Sequence, residues 1–280
     1  MKIAFQGVPG AYSEAATLAL YPEAKPLPCP TFAAAFAAVR DGEADLAMIP
    51  VENLIAGRVA DVHALLPDSG LSIIAEHFQP IEHHLLALPG GSLSDIKRVL
   101  SHVQGLSQCQ RFLAQHNLAS ETFHDTAGAA EEIARLGDAS LAAIASARAG
   151  SLYGLKSLAA NIADHPQNMT RFLVLARQTQ LPEAQLPCMT SLVFAMRSVP
   201  AALYKALGGF ATNGVNLTKI ESYVSDEDFT SARFYIDVES HPALPAMQHA
   251  LDELKFFASS IQMLGTYPQA AWRRRAQSAA

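Results

Sequence analysis

The chain has 280 residues, half of them apolar and only 16% charged, so it can bury a sizeable core and is not a disordered segment. A formal net charge of -6 speaks against a surface built for nucleic acid. No window approaches the roughly 20 apolar residues of a membrane span, so no membrane role is expected.

Cys29, Cys109 and Cys188 are odd in number and form no Cys-x-x-Cys pair, which fits reduced thiols in a cytoplasmic protein. The opening run Lys2-Ile3-Ala4-Phe5 is broken at once by Gly7, Pro9, Gly10 and Glu14, which no signal peptide would tolerate. A soluble, cytoplasmic protein is the expectation. The basic triplet Arg273-Arg274-Arg275 near the chain end reads as a solvated, frayed tail.

In chain order, Ile3-Ala4-Phe5 reads as a strand and Ser13 to Leu20 as a helix with Ser13 near its N-cap. Thr31 precedes a helix whose Phe32, Phe36 and Val39 share one face. Leu46 to Ile49 is a strand ending at Pro50, followed by a helix over Arg58 to Leu66 and the turn Pro67-Asp68-Ser69-Gly70. Leu71 to Glu76 and Ile81 to Leu88 are the next strands.

A helix is expected over Leu106 to Gln115, strand character at Thr122-Phe123, and a helix over Thr126 to Leu136 stopped by Gly137. Leu141 to Ala145 is a buried strand, and Ser151 to Leu158 another helix. Such alternation predicts open, mostly parallel α/β sheets, with ligands beyond the carboxyl ends of the strands. The polar clusters Gly7 to Ser13, Glu52-Asn53, Ser101-His102 and Ser146 fall near such ends.

Residues 177 to 189 break both periodicities and read as a linker. Beyond it come a strand over Thr190 to Met196, a helix over Ala201 to Ala211 and a turn at Asn213-Gly214. A strand over Val215 to Val224 and an alternating strand carrying Ala232, Phe234, Ile236 and Val238 follow. Leu244, Met247, Leu251 and Leu254 mark a helix face, and Ile261 to Gly265 is a last strand. The order βαββαβ is that of a ferredoxin-like domain.

The most informative stretch is Asn168-Met169-Thr170-Arg171-Phe172, where a hydroxyl and a fixed cation precede the apolar run Phe172 to Leu175. A Thr and an Arg at a strand mouth suit a site that holds an acidic substrate and assists loss of a hydroxyl. Thr also simply favours strands, and Phe172 also reads as core.

In order along the chain stand Gly7-Val8-Pro9-Gly10-Ala11-Tyr12-Ser13, Pro50-Val51-Glu52-Asn53 with Gly57 and Val59, Ser101-His102-Val103-Gln104, Asp125-Thr126-Ala127, Ala142 to Ser146, Tyr153-Gly154-Leu155 and Asn168 to Phe172. Together they resemble the prephenate dehydratases that carry a C-terminal ACT domain. The resemblance implies a two-lobed periplasmic-binding-protein-like (type II) catalytic region over residues 1–178, with one lobe at 1–76 plus 165–178 and the other at 77–164. An ACT domain over 190–268 and a tail at 269–280 would follow. With no chorismate mutase segment ahead of the first strand, the monofunctional version is expected.

The resemblance makes Thr170 the catalytic residue, and Arg171, Asn53, Ser13, Thr31, Ser101, Gln104 and Phe172 the substrate-binding set. Arg171 would fork onto the side-chain carboxylate of prephenate, since gripping the departing carboxylate would favour the ground state. In the ACT segment, Ala202, Leu203, Asn216, Leu217, Glu221 and Ser222 would form a site for L-phenylalanine in a homodimer or homotetramer. The chain departs from the family pattern at Glu14, Leu54 and Val103. It also has Tyr223-Val224 where the family has Arg-Pro, a change that removes a cation and a rigid φ. No cofactor is implied.

The reaction implied is conversion of prephenate to phenylpyruvate, water and carbon dioxide. Arogenate dehydration, or a non-catalytic two-lobed protein that binds or senses amino acids, is the alternative. His83-His84 is no metal pair, because neighbours on a strand face opposite ways. Ser101-His102 is no nucleophile and base either, because that geometry is built in space and not between neighbours.

Overall fold

The computed structural model describes residues 1–196, 199–224 and 232–278. The first elements are β1 (Lys2–Gln6), α1 (Tyr12–Leu20), β2 (Lys25–Cys29), α2 (Phe32–Arg40), β3 (Leu46–Asn53), β4 (Gly57–Arg58), α3 (Ala60–Leu65) and β5 (Ser72–Pro80). Next come β6 (His84–Ala87), β7 (Arg98–Ser101), α4 (Val103–Ser107), α5 (Gln110–Gln115), β8 (Ala119–Thr122), α6 (Thr126–Leu136), β9 (Leu141–Ala145), α7 (Ala147–Leu152), β10 (Lys156–Ala159) and β11 (Met169–Ala176). The remainder is β12 (Cys188–Met196), α8 (Ala202–Thr212), β13 (Leu217–Val224), β14 (Ala232–Val238), α9 (Pro245–Phe257), β15 (Ala258–Pro268) and α10 (Ala271–Ser278). Two compact units result, Met1–Val59 with His77–Phe172, and Ala60–Glu76 with Leu173–Ala280.

The described strands fall into three sheets. The first has the order β2-β1-β3-β11-β5, with β4 on β3, and its β1–β2 and β1–β3 pairs are parallel. The second, β10-β6-β9-β7-β8, is mixed: β7 pairs parallel with β8 and β9, and β6 antiparallel with β9 and β10. Both faces of this second sheet are buried. Leu85, Ala87, Val99 and Ile144 join Leu106, Cys109 and Leu113 on one face, while Leu86, Leu100 and Ala143 join Ala127, Ala130 and Ile133 on the other. That explains why β9 reads as the unbroken apolar run Leu-Ala-Ala-Ile-Ala.

In the second unit, β12-α8-β13-β14-α9-β15 builds an antiparallel sheet ordered β13-β14-β12-β15, the ferredoxin-like βαββαβ arrangement. Phe194, Phe210, Ile236, Met247 and Leu254 fill the core between its sheet and its two helices.

Several expected boundaries move, each for a local reason. The N-cap of α1 is Ala11 rather than Ser13. Strand β3 runs through Pro50 to Asn53; its register with β1 stops at Ala47, so the missing proline N–H costs no bond on that side. The expected single helix from Leu106 to Gln115 is two, broken at Cys109. The expected helix from Ser151 to Leu158 is instead α7, started five residues earlier by its Ser146 N-cap, followed by Gly154 at φ 67° and strand β10. Residues 271–278 are helical and not frayed. Arg273 donates to both oxygens of the buried Glu76 carboxylate, at 2.7 and 3.1 Å, and Ala270 N adds a bond of 3.2 Å to it.

Candidate active site

Asn53 ends β3 and Thr170 sits second in β11, strands adjacent in the first sheet. Backbone N–H groups of Ile55 and Ala56 donate to Asn53 Oδ1 at 3.0 and 2.8 Å, which fixes the amide's orientation. Its Nδ2 then faces Asn168 Oδ1 at 2.7 Å and Thr170 Oγ1 at 2.9 Å, with Met169 O further away at 3.3 Å. The two hydrogens of the amide serve the two nearer acceptors. Thr170 Oγ1 is therefore a hydrogen-bond acceptor towards Asn53, and no described residue accepts its own hydroxyl hydrogen. A side chain that is only 8% exposed thus keeps a proton to donate.

The same logic carries the network inward. Because Asn168 accepts at Oδ1, its Nδ2 donates to Gln108 Oε1 at 2.8 Å. That oxygen also faces His83 Nε2 at 2.8 Å, so Nε2 carries the imidazole hydrogen. His83 Nδ1 meets Tyr12 Oη at 2.9 Å, and the same phenol reaches Glu82 O at 2.7 Å. Burial pushes His83 below the ordinary histidine value, against a smaller upward pull from the Gln108 bond. Burial first, then the Cys109 and Glu82 charges, hold Tyr12 well above the usual phenol range.

The motif Gly7 to Ser13 is tied to the start of α7. Ser146 Oγ donates to Gly10 O at 2.8 Å while accepting from Ala149 N, and Tyr153 Oη donates to Pro9 O at 2.9 Å. Gly10 has φ 90°, and a Cβ there would lie 3.0 Å from Ala149 Cα, so only glycine fits this approach. Glu14, one of the departures from the family pattern, accepts from Gly10 N at 2.7 Å and from Arg148 Nε at 2.8 Å. Burial raises its carboxyl, but the Arg148 and Gly10 bonds outweigh that and the net shift is downward. Leu54 and Val103, the other two departures in this unit, are exposed.

Not every candidate joins the Thr170 cluster. Thr31 is exposed, and its hydroxyl caps α2 by accepting from Ala34 N at 3.1 Å. Gln104 is exposed on α4, and the buried glutamine that reaches Asn168 is Gln108, one turn later. Ser101 ends β7, fully buried, and spends its proton on Ile144 O at 2.6 Å. Ser13 is buried on α1, and Phe172 is a core residue at 2% exposure. Arg171 is buried and follows Thr170 directly in β11, so strand alternation sends the two side chains to opposite faces.

Gln108 and the role of His83 escape a reading of the sequence, which singles out Asn168 only as part of a motif. One signal is available there: Gln108 sits among Leu106, Cys109 and Leu113, an apolar neighbourhood in which a glutamine needs a partner.

In the second unit, Ala202 is buried at the start of α8, and Leu203 and Leu217 pack against its core. Asn216 Nδ2 donates to Glu239 at 2.7 Å, Glu221 accepts from Lys219 Nζ at 3.0 Å, and Ser222 is an exposed residue of β13. Val224 closes β13, but its side chain lies outside the described set.

Comparison with known proteins gives these features a family. Residues 3–180 match the family model described as prephenate dehydratase. A bifunctional N-acyl-homoserine lactone acylase/prephenate dehydratase of Komagataeibacter europaeus is 46% identical over 98% of this chain and 98% of its own length. An arogenate dehydratase/prephenate dehydratase of Arabidopsis thaliana is 42% identical over 96% of this chain and 72% of its own. Among solved structures, a prephenate dehydratase from Arthrobacter aurescens in complex with L-Phe superposes with a TM-score of 0.89 at 30% identity, covering 100% of this chain and 97% of that one. The chain belongs to the prephenate dehydratase family.

Proposed function

We propose that this chain is a prephenate dehydratase in phenylalanine biosynthesis, a carbon–oxygen lyase that turns prephenate into phenylpyruvate with loss of water and carbon dioxide. The observation that carries the reading is the polarity of the Asn53–Thr170 hydrogen bond. Asn53 donates to Thr170 Oγ1 at 2.9 Å, so the threonine proton is available to a leaving hydroxyl. Hydroxide leaves poorly, and a donor positioned at that oxygen is typically worth about 10²–10⁴ in rate. As the carboxyl carbon departs as carbon dioxide, its bonding electrons enter the ring and expel the hydroxyl. Aromatisation drives the step, which calls for no redox cofactor or metal.

Around that donor, Arg171 is the proposed cation for a substrate carboxylate. Ser13, Thr31 and Gln104 are proposed to orient the rest of the substrate, and Ser101, fully buried and bonded to Ile144 O, to brace the end of β7. The proposed domain division is a catalytic domain over 1–178, with lobes at 1–76 plus 165–178 and at 77–164, and an ACT domain over 190–268. The ferredoxin-like topology of the second unit supports the latter. L-phenylalanine, the ligand in the similar Arthrobacter aurescens complex, is the proposed effector, and a monofunctional, cytoplasmic homodimer or homotetramer the proposed form. Three buried free thiols fit a reducing compartment.

Two other activities rest on relatives' names. Plant relatives 42% identical are named arogenate dehydratases, and the 46% identical relative is named an N-acyl-homoserine lactone acylase as well. The deciding experiment offers purified protein prephenate, arogenate and an N-acyl-homoserine lactone in separate reactions. Phenylpyruvate absorbance in alkali, phenylalanine release and homoserine lactone release are the readouts. Phenylpyruvate formation is expected. Its absence beside phenylalanine release would favour arogenate, lactone release alone the acylase, and silence in all three a binding protein.

A further inference from the structure

The cluster at Thr170 is one end of a longer chain of bonds running inward, and the Asn53 anchor sets the direction of each from Thr170 to Gln108. At one end the N–H groups of Ile55 and Ala56 hold Asn53 Oδ1. From there the donors point in one sense, with Asn53 donating to Asn168 and Asn168 donating to Gln108. Gln108 Oε1 receives two donors, one from Asn168 and one from His83 Nε2, each at 2.8 Å. An amide chain of this kind has two possible senses. In the reverse sense Asn53 would turn Oδ1 towards Thr170, whose proton would be captured inside the protein, and would set Nδ2 against the N–H groups of Ile55 and Ala56.

We propose that His83 is a positioning residue for the dehydration, its Nε2–H holding the Gln108 end of the chain whose Asn53 end the Ile55 and Ala56 N–H groups hold, so that Asn168 stays in place as acceptor to Asn53 and the Thr170 proton stays free. The inference rests on the reading of Thr170 as the donor to the leaving hydroxyl. His83 is 2% exposed and its ring is edge-on to Tyr12, with centroids 5.7 Å apart, so the imidazole is held in place. Tyr12 Oη, 2.9 Å from Nδ1, closes the other side of the ring, its single proton shared between Nδ1 and Glu82 O at 2.7 Å. His83 acts at a distance: Gln108, Asn168 and Asn53 stand between it and Thr170. From Asn53 to His83 each link is side chain to side chain, so replacing the imidazole frees the Gln108 end while the backbone anchor at Asn53 remains.

The test compares wild-type protein, Thr170→Val, His83→Leu and His83→Gln with prephenate, measuring kcat and KM separately. It adds two-bond ¹H–¹⁵N NMR of the histidine rings in the wild-type protein. His83→Leu is expected to lower kcat at least about tenfold with KM within about threefold. His83→Gln, whose amide nitrogen restores a donor to Gln108, is expected to recover most of that loss. NMR is expected to find the neutral ring protonated at Nε2. Wild-type kcat in His83→Leu, no recovery in His83→Gln, or a ring protonated at Nδ1 would overturn the proposal. Should His83→Leu fail to fold, the glutamine variant and the NMR tautomer decide. If Thr170→Val turns over normally, or the wild-type protein ignores prephenate, the functional reading falls and this inference with it. A dead Thr170→Val beside an unaffected His83→Leu removes the inference alone.

Discussion

Asn53 and Thr170, separated by 117 positions in the chain, share a 2.9 Å hydrogen bond whose donor is the amide. Replacing that amide by an acid of the same shape reverses the bond. In Asn53→Asp, the oxygen that takes the place of Nδ2 can only accept, so it captures the Thr170 proton and repels Asn168 Oδ1. Turnover is expected to fall by about a hundredfold, the scale of losing acid assistance, and stability by about 1–3 kcal/mol for a buried acceptor left facing an acceptor. Steady-state kinetics and urea unfolding measure both, and a fully active Asn53→Asp would contradict the assigned polarity.

Arg171 poses a sharper question, because it follows Thr170 on an extended strand. If its guanidinium grips a substrate carboxylate, Arg171→Met raises KM at least about tenfold while the protein stays folded. If instead it serves the packing of β11, where it is 4% exposed, the variant loses stability and KM of the folded fraction is unchanged. Thermal unfolding run beside the kinetics separates the two.

Glu14 and Arg148 make an acid-sensitive tie. The Glu14 carboxyl is held below its ordinary value of 4.5 by the Arg148 and Gly10 bonds, which outweigh burial. A carboxyl depressed in the folded state contributes stability that is complete above its unfolded value and lost as pH falls through the folded one. Stability should therefore decline below about pH 4.5, and Glu14→Gln should flatten that decline. Near neutrality the variant should be less stable by about 1–2 kcal/mol, since Arg148 is half-exposed and its charge is partly screened. Urea unfolding of both proteins across pH 3 to 7 (roughly the range over which carboxyls titrate) is the measurement.

The thiols should be inert in the folded protein. Burial, helped by the Asp164 charge, pushes the Cys109 thiol up to about 12, and burial raises Cys29 and Cys188 as well. Little thiolate forms at pH 8, so a disulfide reagent should label all three only after denaturant is added. Rapid labelling of Cys109 in native protein would show that its surroundings open.

Local chemistry in the sequence carries much of the fold. Helix α6 is readable end to end, because Gly137 after Leu136 takes φ 66° and closes it as a left-handed cap. The alternating Phe234, Ile236 and Val238 announce β14 for the same local reason. Beyond that range the sequence misleads where a distant partner decides the outcome. Gln104 and Gln108 look alike in sequence, and what distinguishes them is that Gln108 meets Asn168, 60 positions away. Arg273 looks like part of a frayed tail because its partner, Glu76, lies 197 positions earlier. In the site, Thr170 and Asn53 are identified through the family motifs, but the direction of the bond between them requires the backbone of Ile55 and Ala56.

The most direct measurement is the turnover of prephenate by Thr170→Val set against Thr170→Ser. Valine keeps the shape and removes the hydroxyl, so kcat is expected to drop at least about a hundredfold with KM little changed, while serine retains most activity. A valine variant that makes phenylpyruvate at the wild-type rate would mean that Thr170 does not supply the proton.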